Sequence, residues 1–203
     1  MIVVIDYDVG NVRSVCNAFE YIGCKSSLSS DPAQIEQASG LVLPGVAAFG
    51  YARKALGDLA ITIKDLANNG MPLLGICVGY QMLFENSHEY GLHEGLGLVK
   101  GEVIGLPKGK TIPHMGWNLV EMPENMRLFK NFEKNRHFYF AHSFYADIKD
   151  PQAKIAYTEY GFELPASVEK GNVFGCQFHP EKSGPAGLKV LENFVEVCKK
   201  GNR

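Results

Sequence analysis

The sequence predicts an α/β fold with a mostly parallel central sheet, flanked by helices and extended by an added antiparallel strand layer. Three observations carry this. Strands alternate with helices through the first half, short β-like segments fill most of the second, and an amphipathic helix closes the chain. Alternation of that kind builds doubly wound sheets. With 203 residues the chain can bury a sizeable core, and it reads as a single domain over residues 1–203, without repeats or a low-complexity linker.

The opening MIVVIDYDVGN lacks the basic start and small-residue cleavage site of a signal peptide, and its apolar run IVVID suits a buried parallel strand. VRSVCNAFEYIG follows with Val12, Val15, Ala18, Phe19 and Ile22 at helical spacing, closed by Gly23. A strand is expected near Lys25 to Leu28, then a helix start at Asp31-Pro32 and the strand GLVLP. One helix is expected over about 49–68, stopped by Asn68-Asn69-Gly70; MPLLGI reads as a strand and GYQMLFENS as a helix. Beyond residue 95, GLVKGEVIGL, GWNLVEM, HFYFAHSFYA, AKIAYTEY, PASVEKG and NVFGCQF read as strands between Gly, Pro and Asn turns. PAGLKVLENFVEVCKK is the closing helix.

Composition narrows the function classes. The chain is 46% hydrophobic and 21% charged, and its formal charge of −2 gives no electrostatic footprint for nucleic acid. No apolar run approaches a membrane span. Cys16, Cys24, Cys77, Cys176 and Cys198 make an odd, widely spaced set without C-x-x-C, which argues for reduced thiols in a cytoplasmic setting and against a structural zinc site.

In G-I-C-V-G, Cys77 falls where a buried strand turns into a helix. This is the nucleophile-elbow pattern with Cys in place of Ser. Small flanks are needed because the elbow's backbone is commonly strained, and a helix N-terminus favours the thiolate and offers N–H groups to an oxyanion. A buried structural cysteine at a tight turn fits the pentapeptide equally well. Of six histidines, His179 in NVFGCQFHPEKSG stands out, because it ends a β-like run and precedes Glu181 by two positions. A carboxylate there can orient the imidazole and complete a Cys-His-Glu relay. The bland alternative is a strand-end histidine beside a solvated glutamate, and a metal reading lacks further close-spaced ligands.

G-I-C-V-G-Y-Q followed by Q-F-H-P-E resembles the class I (triad) glutamine amidotransferases. I-D-Y-D-V-G-N-V-R-S-V, P-G-V-A-A-F-G, I-P-H-M-G-W-N and H-P-E-K-S further resemble the glutaminase subunits of imidazole glycerol phosphate synthases, over essentially the whole chain. The resemblance implies a flavodoxin-like fold and no cofactor or metal. It implies hydrolysis of L-glutamine to glutamate and ammonia, with Cys77 as nucleophile, His179 as base and then acid, and Glu181 as orienting carboxylate. It implies that Gln81 and Glu89 hold the α-carboxylate and α-amino ends of glutamine, and that Gly45 and the segment His142, Ser143 and Phe144 line its pocket. Oxyanion donors fall at the N–H groups of Val46 and Val78. The family partner is a (βα)8 cyclase subunit, forming a heterodimer and receiving ammonia for histidine biosynthesis; Asn11, Arg13, Trp117 and Lys182 sit in the stretches that face it. Two positions depart from the family pattern. Ala47 stands where glycine is usual, so a Cβ there is expected to load any peptide flip that builds the oxyanion hole, and Asp8 stands where glycine is frequent. Two alternatives stay open: a stand-alone cysteine hydrolase, and a paralogue whose synthase partner aminates a nucleotide sugar.

Overall fold

A computed structural model describes residues 1–200. In chain order the elements are β1 (Ile2–Ile5), α1 (Val12–Tyr21), β2 (Ser26–Ser29), α2 (Pro32–Glu36), β3 (Gly40–Leu43), α3 (Phe49–Leu56), α4 (Leu59–Asn68), β4 (Leu73–Ile76) and α5 (Val78–Gln81). Then come β5 (Asn86–Ser87), β6 (His93–Glu94), β7 (Gly101–Gly105), β8 (His114–Glu121), β9 (Arg136–His142), β10 (Phe144–Ile148), β11 (Lys154–Glu159), β12 (Glu163–Lys170), β13 (Val173–Cys176) and α6 (Gly184–Lys200).

The large sheet has the order β2-β1-β3-β4-β13-β12-β11-β8-β9. Its first five strands pair in parallel, and the remainder is antiparallel. The parallel part has the 2-1-3-4-5 order of flavodoxin-like sheets, whose ligands bind beyond the carboxyl ends of the strands. β1, β3, β4 and β13 are apolar and buried along their whole length, as strands covered by helices on both faces must be. The central sheet is thus mixed: most of the strands expected as an added antiparallel layer extend it instead, and a smaller sheet, β10-β7-β5-β6, with β5 and β7 parallel, forms the second layer.

Two expected helices differ. The single helix over about 49–68 is broken, because Gly57 ends α3 at φ 51°, a left-handed conformation that stops the helical ladder. The helix in GYQMLFENS stops at Gln81. Backbone amides of Leu96, Leu98, Gly97 and Gly95 donate to the carbonyls of Met82, Leu83, Phe84 and Glu85. Those carbonyls would otherwise continue the helix, so tertiary pairing overrides the local preference. All five cysteines are free thiols.

Candidate active site

β3, β4 and β13 are neighbours, and the chain leaving each one supplies part of a single cavity of about 350 Å³. Cys77 follows β4 with φ 55° and ψ −110°, at the N-cap of the short α5. Its N–H donates to the Cys176 carbonyl at 2.8 Å, which ties the turn to β13. Gly75 and Gly79 make the turn possible. A Cβ on Gly79 would lie 1.7 Å from the Leu43 carbonyl oxygen, and one on Gly75 would lie 2.5 Å from the Gly79 oxygen. No side chain fits there, so the elbow is forced by packing against β3 as well as by φ.

His179 leaves the end of β13 and is held by its backbone. Its N–H donates to the Tyr139 carbonyl at 2.9 Å, and its own carbonyl accepts the Ser183 hydroxyl at 2.6 Å. Nδ1 lies 2.8 Å from Glu181 Oε1, with both side chains buried. Burial alone would pull the imidazole pKa down. Side-chain hydrogen bonds to Cys77 and Glu181, and the charges of both, outweigh it and push the pKa up to about 9. A protonated His179 between a carboxylate and a thiolate is the state a thiol nucleophile uses for attack.

Val46 and Val78 are not both presented to the cavity as oxyanion donors. The Val78 N–H donates to the Gly45 carbonyl at 3.2 Å. Because a trans peptide holds its C=O and N–H on opposite sides, the Val46 N–H points away from Cys77. Gly45 is packed tightly enough that a Cβ would lie 2.9 Å from the Tyr7 hydroxyl and 3.0 Å from Val78 Cβ. That hydroxyl is buried and donates to the Pro44 carbonyl; burial, then the charge on Cys77, raises its pKa above the ordinary tyrosine range. Ala47 has a negative φ and carries no strain, whereas Asp8 does sit at φ 59°. Asp is among the residues that tolerate that region.

The pocket residues also converge. Glu89 Oε2 accepts the Phe49 N–H at 2.6 Å, at the start of α3. Gln81 is buried, and its Nε2 donates to the Phe144 carbonyl and to Gln177 Oε1, both at 3.0 Å. With both amide hydrogens engaged, Gln81 has only an acceptor left, so it cannot serve an α-carboxylate in this arrangement; an ammonium group suits both it and Glu89. His142, Ser143 and Phe144 line the cavity where the chain passes from β9 to β10. Asn11, Arg13, Trp117 and Lys182 are all exposed, and Lys182 stands at the cavity rim.

Gln177 was not legible as a site residue. It is fully buried, and its Nε2 is 3.9 Å from Cys77 Sγ. Its place two residues before His179, on the same side of an extended segment, was the available signal. A larger hollow of about 530 Å³, beside Met1, Cys24, Ser39 and Cys198, includes thiols but no histidine in its lining.

Residues 3–198 match the family described as glutamine amidotransferase class-I. The chain belongs to that family. It is 47% identical over 201 residues to "Imidazole glycerol phosphate synthase subunit HisH" of Caldanaerobacter subterraneus subsp. tengcongensis, covering 98% of this chain and 99% of that protein. The protein of the same description from Methanothermobacter thermautotrophicus is 47% identical over 200 residues, covering 98% and 100%. That from Lacticaseibacillus casei is 49% identical over 201 residues, covering 97% and 96%. Among solved structures, a "glutamine amidotransferase" superposes with a TM-score of 0.79 at 18% identity, covering 98% of this chain and 100% of that one, a likeness of fold. "PurLQS from Thermotoga maritima" gives 0.71 at 26%, covering 97% of each chain.

Proposed function

We propose that this amidotransferase is the glutaminase subunit of an imidazole glycerol phosphate synthase, acting as one domain in the cytoplasm and docked on a (βα)8 cyclase subunit as a heterodimer. The observation that carries the reading is that Cys77 and His179 line one cavity beyond adjacent parallel strands, with His179 Nδ1 2.8 Å from Glu181 Oε1, in a chain similar to HisH subunits along nearly its whole length.

The Cys77 thiolate attacks the side-chain amide carbon of L-glutamine, and the carbonyl electrons move to oxygen. His179 gives its proton to the nitrogen as the C–N bond breaks, releasing ammonia and leaving a thioester on Cys77. His179 then takes a proton from water, which attacks the thioester and frees glutamate and the thiol. Glu181 holds the imidazole in place and stabilises its charged form. The oxyanion needs the Gly45–Val46 peptide to rotate, which frees the Val78 N–H and turns the Val46 N–H inward. Docking of the cyclase beside Val46, Trp117 and Lys182 is the event that rotates it. A sealed contact there also delivers ammonia before bulk water converts it to ammonium.

The test is glutamate release with and without a cyclase loaded with its ligand. Cys77→Ser should remove glutamine-dependent turnover, while the complex keeps turnover with added ammonia at alkaline pH. Undiminished glutamate release by a folded Cys77→Ser protein would overturn the reading.

A further inference from the structure

A buried polar chain runs from β8 into the pocket, and the steps above use none of its first links. His114 and His142 are direct partners in the β8–β9 ladder. His142 Nδ1 lies 2.8 Å from the Phe144 carbonyl, which can only accept, so this nitrogen carries a hydrogen. Burial pushes the His142 pKa down to about 3, with the charges of His114 and His179 adding to it against the Phe144 hydrogen bond. Burial pushes His114 down to about 4. Both rings are therefore neutral at pH 7 and carry one hydrogen each. His142 Nε2 must accept, and His114 Nδ1, 3.0 Å away, must donate to it. His114 Nε2 accepts in turn from Asn118 Nδ2 at 3.3 Å, whose other hydrogen goes to the Glu159 carbonyl at 2.8 Å. Every donor along this chain points toward Phe144. The His114 ring is stacked on Phe140 and Tyr160, with centroids 4.7 and 4.0 Å away. The Phe144 carbonyl thus takes two donors, His142 and Gln81, just where the chain passes between the two sheets.

We propose that His114 is a positioning residue for glutamine binding: through His142 it fixes the Phe144 carbonyl, and with it the Gln81 carboxamide, at the pocket wall. This rests on the glutaminase reading above. His114 does not touch the substrate. Without its N–H, the buried His142 Nε2 loses the one donor it has among the described residues, an unfavourable state that the ring relieves by turning. Phe144 then loses one of its two donors, and Gln81 loses a fixed acceptor. The damage falls on pocket geometry and leaves Cys77, His179 and Glu181 in place.

His114→Phe keeps the stack but removes the N–H, while His114→Asn restores an N–H near the Nδ1 position. The probes are a diazoketone analogue of glutamine, which alkylates the nucleophilic thiol after saturable binding, and iodoacetamide, which needs no pocket. In His114→Phe the half-saturating analogue concentration should rise about tenfold, with the limiting rate and the iodoacetamide rate within about threefold of wild type; one lost hydrogen bond to a buried group is of this size. His114→Asn should recover most of the affinity. Asn118→Ala, at the half-buried outer end of the chain, should raise the concentration about threefold, and it decides the matter if the Phe variant does not fold. Unchanged analogue binding in the variants, or equal loss of analogue and iodoacetamide reactivity, would overturn the proposal. Absence of saturable labelling of Cys77 in the wild type would instead remove the glutaminase reading on which it rests.

Discussion

Rotation of the Gly45–Val46 peptide is the step the structure prices most directly. Turning that plane by about half a turn changes ψ of Gly45 and φ of Val46 and leaves the dihedrals of Ala47 unchanged. Gly45 accepts any ψ at little cost. Val46 now has a negative φ, and the rotation swings it into the left-handed half of the map, where a β-branched residue is strained. The cost of that region is about 1–2 kcal/mol for an L-residue, which lowers the rotated population by about 5–30-fold. The strain expected at Ala47 falls instead on Val46, because the peptide that must turn is the one whose Gly45 carbonyl accepts the Val78 N–H. Val46→Gly should therefore raise glutamate release by the isolated chain about 5–30-fold, and Ala47→Gly should leave it within about twofold. The Val46 side chain is 52% exposed, so its removal leaves no core cavity to confuse the result. The assay is steady-state glutamate release without the cyclase, with circular dichroism as a check on folding. An unchanged basal rate in Val46→Gly, or a larger rise in Ala47→Gly, would refute this account of the off state.

His179→Asn should lose more glutaminase activity than Glu181→Gln, about 10²-fold or more, because it removes the proton carrier and not only its orienting partner; the reverse order in the cyclase-activated assay would contradict the assigned roles. Stability should fall on both sides of neutrality. His179 has a raised folded pKa of about 9, so its contribution is complete below about pH 6.5 and is lost as pH rises through 9. His142 and His114, depressed to about 3 and about 4, contribute above about pH 6.5 and lose that contribution as pH falls. Urea unfolding across a pH series checks this, and His179→Asn should make the alkaline limb shallower without changing the acid one; the buried thiols Cys176 and Cys198, pushed up to about 12 by burial, add to the alkaline loss. Gly79→Ala should cost about 3 kcal/mol or more of stability, since its Cβ would overlap the Leu43 carbonyl; a melting temperature close to wild type would show that the elbow relaxes easily.

What the sequence determined by itself was local. The alternation of apolar strands with helices, the glycines around Cys77 and the two-residue step from His179 to Glu181 are short-range patterns, because each reflects the geometry of a few consecutive residues. So most strands, the turn at Cys77 and the residues proposed for the triad could be picked out before any pairing was known, whereas the short β5 and β6 could not. Strand neighbours were not legible. That β13, from the far end of the chain, lies beside β4 is settled by burial of two apolar strands against each other, and only this brings His179 to Cys77. The same holds for the break of the 78–81 helix, whose later carbonyls are taken by a loop up to sixteen residues away (Leu83 to Val99). The orientation of the Gly45 peptide, the amide of Gln177 against the thiol and the His114–His142 chain depend on which donor meets which acceptor across strands. Hydrogen bonds of that kind are fixed by tertiary contact, since in the extended chain every one of those groups would be satisfied by water.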